Sequence, residues 1–171
     1  MKRGRSVVLL CALICACQQA TPPKPVEIAY GEDICGTCDE VIKDRSFAAE
    51  YIMAGQVVKK FDDPGCLFRA LRNEPNTPGA AYFQHVDKEE WVGDKQVWLA
   101  TTPRIASTQG YNWAAYGSFA EAQDAVASAG GGQILPFAQA KERIARVIPT
   151  PAPTEVPTEA PLELPTEPSD S

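Results

Sequence analysis

The sequence predicts an α+β fold of two tandem small β-β-α-β units packed together, followed by a disordered C-terminal tail rich in Pro, Thr and Glu. Three observations lead there. A strand–strand–helix–strand order occurs twice between residues 30 and 147. Each internal helix opens on a capping signal directly after a strand. From residue 148 onward the chain has few large apolar groups and no Lys or Arg, too little to offset the entropy of ordering.

The elements follow in order. Residues 47–53 and 56–61 read as a hairpin turning at Ala54-Gly55. Asp63-Pro64 then opens a helix. An Asp side chain accepts from the orphan N–H groups of the first turn, and Pro at the first helical position gives up a donor that has no partner there. Leu67, Phe68 and Leu71 give this helix its apolar face, residues 73–79 end it, and residues 80–86 return as a strand. The second half repeats the order. Residues 96–100 and 111–116 are strands, and Ser118 with Glu121 three positions on forms a capping box. Phe119, Ala122, Val126 and Ala129 supply a buried stripe, and Gly130-Gly131-Gly132 stops the helix. A short strand, Gln133–Pro136, and an amphipathic helix, Phe137–Val147, complete the unit. The units divide near residue 92, giving about 30–92 and 93–147. Trp91, Trp98 and Trp113 are expected to pack the two halves together.

The N-terminus reads as an export signal. Lys2, Arg3 and Arg5 precede an apolar stretch too short to span a bilayer. Leu13-Ile14-Cys15-Ala16-Cys17 has the form of a bacterial lipobox, with a small residue before the cysteine that would carry the lipid. Cys11 and Cys15 follow bulky aliphatics and do not fit. This predicts a lipoprotein signal peptide at 1–16, lipidation at Cys17, and a lipid anchor and stiff tether over 17–29. The domain would then sit in the cell envelope, on the extracytoplasmic side of a bacterial membrane. Removing residues 1–16 takes away three basic residues and no acidic one, moving the net charge from −6 to −9. So acidic a chain, with no basic patch, excludes nucleic acid as a partner.

Of six cysteines, Cys35, Cys38 and Cys66 remain once the leader is gone and Cys17 is acylated. An odd number of thiols argues against a purely structural disulfide framework. Cys35-Gly36-Thr37-Cys38 can aim both sulfurs at one centre if the loop turns, and Gly36 makes a turn easy. The spacing alone admits metal binding, a local disulfide or redox catalysis. A redox pair wants its first thiol at a helix start, and no helix follows here. Glu32, Asp33, Asp39 and Glu40 are expected to raise the thiol pKa values by repulsion. Cu(I) favours thiolates at low coordination, whereas structural zinc wants four ligands that the composition hardly offers. Cys66 falls in the first turn of its helix, where N–H groups favour a thiolate, although a small buried hydrophobe is the commoner role. Met53 reads as core and His85 as a satisfied surface histidine beside Asp87. Both are outlying ligand candidates.

The order of motifs then resembles a known family. Cys35-Gly-Thr-Cys38-Asp-Glu-Val-Ile-Lys-Asp is followed by Phe47-Ala-Ala-Glu and Phe61-Asp-Asp-Pro-Gly-Cys66. Val86-Asp87, Trp91, Thr102-Pro103 and a helix ending in Gly-Gly come after. Together with the lipobox, this run is similar to the NosL family, the nitrous oxide reductase accessory lipoproteins. The resemblance implies a Cu(I)-binding copper chaperone, a carrier and not an enzyme. Its fold would be two β-β-α-β units and its client nitrous oxide reductase or another exported copper enzyme such as a terminal oxidase. The chain departs from the family pattern at Cys38-Asp39-Glu40 and Pro103-Arg104, where methionines are usual. A copper site would therefore depend on Cys35 and Cys38, with Cys66, Met53 and His85 as additional candidates. The alternative function is a thiol–disulfide reductase that maintains cysteines of an exported copper-site protein.

Overall fold

The computed structural model describes residues 22–147; the leader, Cys17 and the tail from 148 onward lie outside them. The first sheet is built on β1 (Ala49–Met53). It pairs antiparallel with β2 (Val58–Phe61) on one side and with a third strand, β3 (Gly79–Gln84), on the other. Helix α1 (Pro64–Asn73) connects β2 to β3, and β4 (Trp91–Gly93) adds to the far edge. In the second sheet β5 (Trp98–Thr101) is central, flanked antiparallel by β6 (Ala114–Tyr116) and β7 (Gln133–Pro136). Helix α2 (Phe119–Ser128) connects β6 to β7, and α3 (Phe137–Val147) follows. In both sheets the first strand is central and its two successors flank it. The repeat of pattern is thus a repeat of topology.

Alternation along the strands decides what each face meets. Ala49 and Tyr51, Phe61, and Ala81 and Phe83 join Leu67, Phe68 and Leu71 of α1 in one buried cluster. That cluster runs on through Leu99, Ala115, Leu135, Ala140 and Ile144 of the second unit. Phe68, Phe83 and Phe137 form its aromatic centre, with ring centroids 5.9–6.1 Å apart. The sheets also meet through the backbone: His85 bridges Ala115 in parallel, and Val86 N donates to Ala115 O at 3.0 Å.

The other face of the first sheet carries Glu50, Lys60 and Tyr82, which lie opposite one another in register. Residues 22–29 cross it as a strap. Val26 N donates to Glu50 Oε2 at 2.9 Å, Lys60 Nζ to Glu27 O at 2.8 Å, and the Tyr82 hydroxyl to Pro23 O, while Ile28 is buried. This part of the expected stiff tether is therefore seated on the domain, because its backbone groups find partners on the sheet.

Several elements differ from the sequence expectation. Residues 45–47 form a 3-10 turn capped by Asp44, so the first strand starts at Ala49. The edge strand β4 was not foreseen; its three residues are too few to show an alternation. The α2 stripe is only partly covered: Ala122 is buried, Val126 and Ala129 are half-buried with Val126 packed on the second unit's apolar cluster, and Phe119 is 46% exposed. Trp91 and Trp113 pack on the shared core, but Trp98 lies edge-on to Phe119 at 5.0 Å, within the second unit.

Candidate metal centre

The site is built where β2 turns into α1. Asp63 is the N-cap: its Oδ1 accepts from Gly65 N at 2.8 Å, with Pro64 in the first turn. This cap places Cys66 in the first turn, its N–H donating to Asp63 O at 3.0 Å. Gly65 is required by what lies over it. A Cβ there would sit 2.0 Å from Cγ of Tyr111. The absent side chain lets the loop 102–113, between β5 and β6, come down onto the helix start. Its anchors are explicit. Ser107 Oγ and Gln109 N donate to Asp63 Oδ2 at 2.6 and 3.0 Å, and Gln109 Nε2 donates to Asp62 Oδ2 at 3.0 Å. Arg69 Nη1 holds the Tyr111 hydroxyl at 3.2 Å.

The C-x-x-C segment folds over the same turn. Ile34 bridges Val41, Cys35 N donates to Glu40 O at 2.8 Å, and Asp39 N donates to Cys35 O at 3.1 Å. Asp39 takes the left-handed conformation (φ 62°), a role Asp tolerates better than most residues. The turn thus falls at Asp39 rather than at Gly36. Gly36 instead donates its N–H to Lys60 O at 2.8 Å, and Thr37 Oγ1 donates to Cys66 O at 2.9 Å. These two bonds tie the loop to β2 and to α1.

The result is a compact cluster. Sγ of Cys35, Cys38 and Cys66 and a carboxylate oxygen of Asp62 all lie within 4.8 Å of one another. Cys35, Cys66 and Asp62 are fully buried, Cys38 is half-buried, and all three thiols are free. Cys38 Sγ donates to Asp62 Oδ1 at 3.4 Å. A hydrogen bond from the Cys66 thiol outweighs burial and, with backbone donors, holds Cys35 down at about 6. Burial is the main reason that Cys38 is pushed up to about 12, with the Cys35 and Asp62 charges adding to it. Cys66 is driven up as well, first because Cys35 accepts its proton and then by burial. Within the cluster Cys35 is thus the group held toward the thiolate, and Cys38 and Cys66 are held toward the thiol.

This corrects two expectations. The acidic neighbours do not raise every thiol: Glu32, Asp39 and Glu40 are exposed, and Asp33 is paired with Lys60 at 2.6 Å. Nor does the helix start make Cys66 a thiolate, since its proton is shared with Cys35. Cys66 is both the buried small residue and a member of the cluster.

Met53 and His85 stand apart. Register places Ala49 opposite Phe61 and Met53 four residues further along β1, roughly 13 Å away at a strand's rise. There it lines a groove with Pro22, Pro23 and Pro78. His85 is not a surface residue. It is 2% exposed, its ring edge-on to Tyr116 at 5.7 Å. Its Nδ1 accepts from Asp87 N at 3.1 Å, so the neutral ring carries its proton on Nε2, 3.6 Å from Glu121 Oε1. A protonated Nε2 has no lone pair to give a metal.

Asp62 and Gln109 are the members that the residue pattern did not single out. The doubled Asp before Pro64 is the available signal: Asp63 suffices for the cap, which leaves Asp62 free for another task. Gln109 has no such signal, because its role depends on how a loop in the second unit is seated.

The donor set fits a soft ion. Sulfurs around an ion at about 2.3 Å lie roughly 4 Å apart, within the range the cluster already spans. Asp62 also brings the donors to four, so the shortage of ligands no longer weighs against a dication. No protein-family model matches the chain, and no curated protein matches it in sequence. Among solved structures, the fold is similar to the crystal structure of the copper chaperone NosL from Shewanella denitrificans. The TM-score is 0.60 at 15% identity, over 69% of this chain and 96% of that one. The NosL-like α+β fold expected from the order of motifs is the fold this chain has.

Proposed function

We propose that this chain is an exported lipoprotein, anchored through Cys17 on the extracytoplasmic side of a bacterial membrane, that carries Cu(I) on Cys35, Cys38 and Cys66. It passes the ion to a copper enzyme, with nitrous oxide reductase as the leading client and a terminal oxidase as the other. The observation that carries this reading is the buried convergence of three thiols, with Cys35 held toward the thiolate by its neighbours. Such a donor set suits a soft d¹⁰ ion. The fold, shared with a protein described as a copper chaperone, supports it. Cu(I) is the cargo here, and the chain's own work is to hold it away from water and give it up to a better acceptor. Loading would displace the protons of Cys38 and Cys66.

The test is an anaerobic competition titration with Cu(I). The parent should take up one equivalent, and the Cys35→Ser/Cys38→Ser double variant should bind on the order of 100-fold more weakly. Equal affinity in the two proteins would sink the proposal. One observation favours a second reading, a thiol–disulfide reductase: a thiolate near neutrality touches a protonated thiol in Cys35 and Cys66. That reading requires a disulfide within the cluster that forms and is reduced during turnover. Mass spectrometry of the thiol state before and after reaction with an oxidised cysteine peptide decides it.

A further inference from the structure

Gln109 lies in the second unit, 47 residues from Asp62. Its side chain nevertheless closes a hydrogen-bond chain that ends on a thiol of the metal centre. Asp62 is fully buried; its Oδ1 accepts from Cys38 Sγ at 3.4 Å and its Oδ2 from Gln109 Nε2 at 3.0 Å. A buried carboxylate stays where its donors are, because losing one leaves a desolvated charge without compensation. Cys38 is the half-buried member of the cluster, and so the side on which an ion can enter or leave. The seat of the loop is separate from this contact. Gln109 uses its backbone N–H, and Ser107 its hydroxyl, on Asp63, whereas the Gln109 side-chain amide donates to Asp62.

We propose that Gln109 is a positioning residue for the thiol centre. By fixing Asp62 it keeps the Cys38 sulfur turned toward Cys35 and Cys66 in the metal-free protein; once loading has taken the Cys38 proton, it keeps the carboxylate beside the ion as a fourth donor, and so sets how fast the bound ion is surrendered. This rests on the thiol cluster being the Cu(I) site. The backbone seat and the side-chain contact can be separated by substitution: Gln109→Ala removes only the donor to Asp62, Gln109→Lys restores one, and Ser107→Ala weakens the seat on Asp63 without touching Asp62.

The test uses the full chain and two readouts. In the metal-free protein, the rate of Cys38 alkylation by iodoacetamide is followed peptide by peptide. In the Cu(I)-loaded protein, the rate of copper removal by bathocuproine disulfonate is followed by absorbance. Gln109→Ala should speed both by about tenfold, with Cys35 alkylation little changed, since a hydrogen bond to a buried charge is lost. Gln109→Lys and Ser107→Ala should each stay within about twofold of the parent. The proposal falls if Gln109→Ala stays within that range in metal-free alkylation. It also falls if Ser107→Ala matches Gln109→Ala, or if all three cysteines speed up together, which would mean general loosening. If the parent takes up no Cu(I), the copper reading fails on its own and the alkylation readout alone decides the role of Gln109.

Discussion

Glu50 is the residue whose position is hardest to reconcile with its chemistry. It is fully buried beneath the strap, its Oε2 accepting from Val26 N while Oε1 has no hydrogen-bond partner. Burial pushes its carboxyl up to about 7, against the opposing pull of that N–H and of Lys60. The unfolded chain ionises this group near pH 4.5 and the folded protein only near 7. Between those values the folded state holds a proton the unfolded state has lost, so stability falls as pH rises through this window and stays low above it. Glu50→Gln should therefore be more stable than the parent at pH 8, by roughly 3 kcal/mol at most, and should lack the decline between pH 5 and 7. Urea melts at three pH values check this. At the same scale, Cys35 and Cys38 were legible because their spacing is local and Cys66 because its helix cap is local. Asp62 was not, since its hydrogen-bond partners, Cys38 and Gln109, lie 24 and 47 residues away.

Helix α1 and the loop 102–113 act as one element. Substituting Gly65 by Ala would place a methyl group inside the Tyr111 ring, and the contact is to the base of that side chain, so a rotamer change cannot relieve it. Gly65→Ala should cost about 1–3 kcal/mol in thermal or urea melts. The double variant Gly65→Ala/Tyr111→Gly should cost less than the sum of the two single changes, since the three atoms that the new methyl group would meet, Cβ, Cγ and Cδ2 of Tyr111, all go with that side chain. Element by element, the sequence shows the helices best. Asp63-Pro64, Ser118 with Glu121, and the glycine run at 130–132 with φ of 82°, 135° and 157° are signals carried within a few residues. It shows strand ends less well. The start of β1 gave way to the 3-10 turn at Arg45–Phe47, and β6 runs over Ala114–Tyr116 where a longer strand was expected. Pro-rich composition predicts a stiff tether over 17–29 and does not reveal that the carbonyls of Pro23 and Glu27 meet a tyrosine and a lysine on the sheet.

The two repeated units share a core and so should fold as one. Phe68 is fully buried and touches Phe83 of its own unit and Phe137 of the other. Phe68→Ala should lower stability by about 3–5 kcal/mol, and calorimetry should still show a single transition. Two separate transitions would mean that the aromatic centre does not couple the halves. The same architecture sets a length scale for any lipid at Cys17. The strap engages the sheet from Pro23 onward, and five peptide steps separate Cys17 from Pro22. They reach at most about 18 Å when fully extended. A lipid there would give the protein a short leash, attached at the Met53 end of the first sheet, with the thiol centre at the opposite end, where β2 runs into α1. The cargo would then be offered on the side turned away from the bilayer, and an acceptor would have to come within one domain's height of the membrane surface to collect it.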